Sequence, residues 1–252
     1  MTWQTPKTDW SVADGVRDTD FNRIEGDILE LYNVDAARSD SIIYVSPSGN
    51  DTSGTGSSQQ PYATISKALS VIAKNLNGKA ITVNIAAGAY NEEVVVDGFS
   101  NGTIKFSGSG TVTVNKLSVL GGSILYIQSI TIATTTTGTA VLVTDGSVLV
   151  GISSISVSGA TIGLNVTNCG RAHIGGNLAI ANCNTGVAVL NNGSAFILQL
   201  TGSGNSTGMI ASNGGTIAYG YNNAAVTAVL AATSTGGRIN TGSQASTGGG
   251  IL

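Results

Sequence analysis

Four stretches of this chain lie over one another: Thr137-Gly138-Thr139-Ala140-Val141-Leu142-Val143-Thr144-Asp145-Gly146-Ser147, Thr161-Ile162-Gly163-Leu164-Asn165-Val166-Thr167-Asn168-Cys169-Gly170, Thr185-Gly186-Val187-Ala188-Val189-Leu190-Asn191-Asn192-Gly193-Ser194 and Thr207-Gly208-Met209-Ile210-Ala211-Ser212-Asn213-Gly214-Gly215. Each reads as a glycine turn, an alternating apolar strand, an Asp or Asn, and then glycine. The closing glycines Gly122, Gly146, Gly170, Gly193 and Gly214 stand 24, 24, 23 and 21 residues apart. Second strands fall between them, among them Ile124-Leu125-Tyr126-Ile127, Val148-Leu149-Val150, Ala172-His173-Ile174, Phe196-Ile197-Leu198 and Ile217-Ala218-Tyr219. A repeat of this length with an apolar period of two, not 3.6, is the signature of a solenoid built from short strands. No coil buries its inward row alone; stacking the coils does so and closes their backbone hydrogen bonds along the axis. The expected architecture is an all-β parallel β-helix with Val141, Val166, Val189 and Ile210 in one interior column. Asp145, Asn168, Asn192 and Asn213 are expected to stack at one corner as a structural ladder, because Asn and Asp tolerate left-handed backbone and bond nearby main chain.

Composition agrees with this reading. Hydrophobic residues are 41% of the 252, enough for a core, while charged residues are only 10%, against about 25% in ordinary domains. There are 35 glycines and only 3 prolines, alongside abundant Thr, Ser, Asn, Val and Ile, as in short strands joined by tight turns. The net charge of -3 is unevenly spread: residues 1–40 hold nine acids and four bases, and the rest of the chain holds five acids and seven bases. Neither part shows a basic stripe in sequence, so no nucleic-acid partner is expected. The two cysteines, Cys169 and Cys183, suit neither a disulfide framework, a zinc site nor a redox pair, and are expected to be buried free thiols. The opening residues lack the apolar region of a secretory signal, and no apolar run reaches the length of a membrane span, so cytoplasmic synthesis without membrane insertion is expected.

Three zones follow. In residues 1–40, Phe21, Ile24, Ile28 and Leu31 recur at spacings of three and four, an a/d seam on a short helix. Two heptads are marginal alone, so the seam serves either as an ordinary packed amphipathic face or as a short parallel trimer contact. Residues 41–100 form an entrance to the solenoid. A capping helix is expected over about 64–77, with Thr64 as N-cap, Ile65, Leu69, Ile72 and Leu76 on its apolar face and Gly78 closing it. Residues 101–252 are the coils and the C-terminal end.

Two segments carry a family resemblance. Tyr44-Val45-Ser46-Pro47-Ser48-Gly49-Asn50-Asp51, Gln60-Pro61-Tyr62-Ala63-Thr64-Ile65 and Gly88-Ala89-Tyr90-Asn91-Glu92 resemble the entrance of pectin-lyase-like right-handed β-helix proteins. That resemblance implies a right-handed, single-stranded parallel β-helix plugged by a helix, and it says little about activity, because the fold hosts lyases, hydrolases and inert fibres. Thr5-Pro6-Lys7-Thr8-Asp9-Trp10 with Asp20-Phe21-Asn22-Arg23-Ile24-Glu25-Gly26-Asp27-Ile28 resembles the N-terminal attachment region of tail structural proteins from phages and prophages of Gram-positive bacteria. It implies docking of residues 1–40 onto a tail or baseplate protein, a homotrimer, and residence in the virion tail.

The inventory of reactive groups points away from catalysis. Polysaccharide hydrolysis needs a carboxylate pair, and the lyases of this fold use a basic residue, commonly with calcium held by carboxylates. From Gly98 onward the only acid is Asp145, the bases Lys105, Lys116, Arg171 and Arg238 are scattered over different coils, and the only histidine, His173, sits inside an alternating strand. Arg171 and His173 alternate and so share a face; Glu92 and Glu93 are adjacent and point apart. No catalytic, cofactor-binding or metal-ligating residue is therefore assigned and no cofactor is expected. Tyr219 and Tyr221 remain as a possible glycan contact. The expected function is a structural tail fibre or appendage subunit, with a host-polysaccharide-binding or depolymerising tailspike as the alternative.

Overall fold

The chain forms one all-β parallel solenoid of about six turns, seen here in a computed structural model that describes residues 40–128, 131–134, 137–222, 230–232 and 235–241. Among the described residues, all sixteen strands belong to a single hydrogen-bonded set. They sort into three stacks. The first holds β1 (Ser41–Val45), the opening parts of β2 (Ala80–Asp97) and β3 (Thr103–Leu120), then β4 (Ile124–Ile127), β7 (Val148–Gly151), the start of β10 (Arg171–Ala181), β12 (Ser194–Thr201), β14 (Thr216–Asn222) and β16 (Arg238–Thr241). The second holds the middle of β2 and β3, β5 (Thr131–Thr134), β8 (Ile155–Ser158) and the later parts of β10 and β12. The third holds the ends of β2 and β3, β6 (Thr139–Val143), β9 (Ile162–Val166), β11 (Thr185–Val189), β13 (Thr207–Ala211) and β15 (Leu230–Ala232).

Alternation along each strand sends every second side chain inward, and parallel pairing lines those side chains up from coil to coil. In the first stack Ile81, Ile104, Leu125, Leu149, Ala172, Ala195 and Ile217 form one buried row. In the third stack the registers correct the expected interior column. Val166 and Val189 lie in a row with Val119, Val143 and Ala211, whereas Val141 pairs with Leu164 one row away. Ile210 pairs with Ala188 on the outward side, since it precedes Ala211 in the alternation. A register error of one residue turns a side chain to the other face.

The corner joining the third stack to the first is a repeated two-residue turn. Gly121-Gly122, Asp145-Gly146, Asn168-Cys169, Asn191-Asn192, Asn213-Gly214 and Thr235-Gly236 all have positive φ at both positions. Each of the first five turns is closed by a bond across it, such as Ser147 N to Thr144 O at 3.0 Å and Gly193 N to Leu190 O at 2.9 Å. This is the type I′ pattern, for which Asn and Gly are the natural residues. Successive turns also bond one another, from Gly146 N to Asn168 O, Cys169 N to Asn191 O and Asn192 N to Asn213 O.

At the entrance, α1 (Ile65–Ser70) is shorter than expected. Thr64 caps it, its Oγ1 accepting from Lys67 N at 3.1 Å. Beyond it Leu76 is still fully buried, but the chain there bonds the first coil instead of itself: Leu76 N to Ser100 O and Ser100 N to Lys74 O, each at 2.8 Å. Gly78, at φ 76°, donates to Asn101 O and does not terminate the helix. The free edge of β1 is partly occupied as well. Tyr44 N donates to Gly56 O, Ser46 N to Tyr62 O and Tyr62 N to Tyr44 O, which blunts an edge that would otherwise recruit other strands.

Candidate functional site

Two surfaces deserve comparison: the asparagine corner and the outer face of the first stack. The corner is structural in its bonding. Asn191 Nδ2 donates to Asn168 Oδ1 at 3.2 Å, Asn213 Nδ2 to Asn191 Oδ1 at 3.1 Å and Thr235 Oγ1 to Asn213 Oδ1 at 2.7 Å. Asp145, Asn168 and Asn213 occupy the first turn position, but their companion is Asn191, not Asn192. Asn192 occupies the second position, with Gly146, Cys169 and Gly214. The misplacement arises because the glycines are of two kinds. Gly146 and Gly214 supply left-handed backbone, whereas Gly193 has another duty: a Cβ there would stand 2.5 Å from Val166 O of the coil beneath. Cys169, expected to be buried, is exposed in its turn; Cys183 is buried, and burial pushes its thiol pKa up.

Three acids of the entrance, Asp40, Asp51 and Glu92, are occupied by main chain. Asp40 accepts from Ala80 N at 2.9 Å. Asp51 accepts from Ala63 N at 2.7 Å and from Thr64 N at 3.1 Å. Glu92 binds the start of α1, Oε1 accepting from Ile65 N at 2.7 Å and Oε2 from Ser66 N at 2.9 Å. These bonds satisfy orphan donors of the helix. Tyr90 beneath them donates to Ala86 O, and its phenol pKa is pushed up to about 12 by burial and by the neighbouring Glu92 charge. Among the described residues no group of three or more His, Cys, Asp or Glu side chains is placed to hold a metal ion.

The expected glycan contact is not a tyrosine pair. Tyr219 pairs with Ile197 on the inward row and is 8% exposed, and burial raises its pKa. Tyr221 continues the same strand, its backbone paired with Gln199. The seam residues Phe21, Ile24, Ile28 and Leu31 lie outside the described residues.

The outer face of the first stack is where chemistry-bearing side chains gather. Its central row runs Lys105, Tyr126, Val150, His173, Phe196 and Ala218, coil by coil. A flanking row runs Ile124, Val148, Arg171, Ser194, Thr216 and Arg238. His173 and Phe196 stack with ring centroids 4.8 Å apart and planes tilted by 44°. Both are exposed, as are Arg171 and Arg238. On the opposite flank, Ile152 and Leu198 are 55% and 39% exposed. Bases that are scattered in sequence are thus collected on one face: three of the four beyond residue 98, plus the histidine. The fourth, Lys116, is on the third stack beside Glu93. This concentration escapes a reading of isolated strands; the coil spacing between Arg171 and Arg238 is the signal that carries it. Such an array offers cationic donors and apolar ring faces, which is the equipment of a binding surface. Set against known protein families, curated proteins and solved structures, the chain matches none of them.

Proposed function

We propose that this chain is a structural subunit of a bacteriophage-like tail fibre or appendage, attached through residues 1–40 and contributing a β-helical shaft that meets the host surface. The observation that carries this reading is axial continuity. The first stack contains nine successive strand segments, from β1 to β16, bonded in parallel. Eight steps of about 4.8 Å give a shaft roughly 38 Å long. Cross-coil bonds at the turns reinforce it, and the entrance is closed by α1 and the β1 loop. The attachment role of residues 1–40, the homotrimer and the virion location rest on the resemblance of residues 5–28 to phage tail proteins.

Light scattering on the purified full-length chain tests the assembly. A solution mass of three chains is the expected result; a monomer at concentrations well above those in an assembled particle would sink the trimeric fibre. The basic and aromatic outer face favours a second role, host-polysaccharide binding, over a purely mechanical shaft. The depolymerising version of that role predicts release of oligosaccharides from host wall polymer, and an absence of release removes it.

A further inference from the structure

We infer that the outer face of the first stack is a binding surface for a linear anionic polysaccharide lying along the solenoid axis. The inference deepens the host-contact reading by naming the class of ligand, and it rests on that reading for its biological setting only.

Charge comes first. Lys105, Arg171 and Arg238 project from this face, and no strand segment in the first stack contains a carboxylate. The lateral neighbours of Lys105 are Thr82 and Tyr126, those of Arg171 are Val148 and Ser194, and that of Arg238 is Thr216. The acids nearest these coils in sequence lie elsewhere: Asp97 ends β2 on the third stack, and Asp145 sits in the corner turn, where it accepts from Thr144 Oγ1. Among the described residues no acid pairs laterally with these three cations, and in a chain with so few charges they produce a field that favours an anion.

Geometry then selects a linear one. The side chains repeat at the coil spacing of about 4.8 Å. Lys105 and His173 are three coils apart on the central row, and Arg171 and Arg238 three coils apart on the flank, so each pair is separated by about 14 Å along the axis. A compact anion reaches one of these positions; a chain with repeated charges reaches several.

The apolar groups select a carbohydrate backbone. Exposed Phe196, backed by His173 at 4.8 Å, presents a ring face, with Tyr126 and Val150 continuing the row and Ile152 beside it. Aromatic faces pack against the C–H side of a sugar ring, while Ser194 supplies a neutral hydrogen-bonding group. A Cβ on Gly175 would meet Ile152 Cγ2 and Gly151 O only at 3.8 Å, so packing does not demand glycine there, and the missing side chain leaves the surface open beside Ile152.

The test measures binding of the full-length protein to alginate, to dextran and to duplex DNA, at low and at high salt. Alginate is expected to bind with an affinity that falls as salt rises, dextran and DNA to bind at least tenfold more weakly. Arg171→Gln combined with Arg238→Gln is expected to weaken alginate binding about tenfold, and Phe196→Ser to weaken it independently. Lys116→Gln, on another stack, is expected to leave it unchanged, and melting curves report whether each variant folds. No alginate binding, equal binding of dextran or DNA, or full binding by the arginine and phenylalanine variants would each overturn the inference. A failure here with a three-chain mass in solution removes the ligand and leaves the shaft standing; a monomer that binds alginate does the reverse.

Discussion

Asn168 and Asn191 occupy equivalent positions in successive turns, at φ 47° and 49°, and the Nδ2 of Asn191 donates to the Oδ1 of Asn168 at 3.2 Å. Each asparagine thus does two things: it accepts a backbone shape that most residues resist, and it ties its coil to the next. Asn191→Val introduces a β-branched side chain into left-handed backbone and removes three side-chain bonds, from Nδ2 to Asn168 Oδ1 and Thr167 Oγ1 and from Asn213 Nδ2 to Oδ1. A loss of about 2 kcal/mol in unfolding free energy by urea titration is expected. Asn191→Gly keeps the backbone and loses only the bonds, so its midpoint should lie clearly above that of the valine variant; equal midpoints would show that φ is not what the position requires.

The two kinds of glycine at this corner separate in the same way. Gly146 has φ 71° and open space where a Cβ would go, so Gly146→Ala carries backbone strain of about 1 kcal/mol. Gly215 lacks positive φ, but a Cβ there would stand 2.0 Å from Val189 O of the coil beneath. Gly215→Ala must push two coils apart and is expected to lose about 3 kcal/mol. Thermal melts of the two variants should rank them in that order.

Ser123 and Ser147 occupy the residue after the turn in earlier coils, both fully buried. Ser123 Oγ accepts from Phe99 N at 3.0 Å, whereas Ser147 Oγ has no hydrogen-bond partner. Ser123→Ala should therefore destabilise by about 1 kcal/mol or more, and Ser147→Ala should be neutral or stabilising. Denaturant midpoints moving in the same direction and by the same amount for both would contradict this assignment.

Glu92 holds the first turn of α1 through Ile65 N and Ser66 N. Glu92→Gln replaces three charge-assisted bonds, from Ile65 N, Ser66 N and Ser66 Oγ, by the bonds of a single neutral amide oxygen, with an expected loss of about 2 kcal/mol. The effect should be local. Faster amide exchange is expected at Ile65 and Ser66, with the coils beyond residue 101 unchanged.

Tyr90 has a folded-state pKa of about 12, raised from 10.0 by burial and by Glu92. Because the raised value favours the neutral phenol in the fold, its contribution is fully present below pH 10 and is lost as pH rises toward 12. Stability should fall across that window, and Tyr90→Phe should flatten the fall. An unchanged pH profile in the variant would assign alkaline unfolding to other groups.

The asparagine corner also shows how far linear reading reaches. The period of the glycines and the alternation of Val, Ile and Leu already specify stacked parallel coils, because only stacking satisfies both the inward row and the strand hydrogen bonds. The phase within each coil is less legible. Gly146 and Gly193 look alike in sequence, yet one relieves φ and the other relieves contact with a carbonyl, and aligning them displaced Asn191 by one residue. The same one-residue slip puts Ile210 inside, where the register turns it outward. The expected helix overran its true end because Ile72 and Leu76 have helical spacing and are both buried, yet the chain at Leu76 bonds Ser100 of the first coil and not its own preceding turn.

What the sequence by itself determined is the repeat and the chemistry available: neutral coils, few carboxylates, and cations spread over distant positions. Tertiary structure alone decided which of those positions share a surface. Lys105, Arg171, His173 and Arg238 become neighbours on one face only when each coil closes and its strand registers with the next. The physical reason is that coil length here varies by a residue or two, taken up outside the repeated corner turn, while the register of the first-stack segments holds from coil to coil. Side chains therefore align by pairing along the axis, not by counting along the chain.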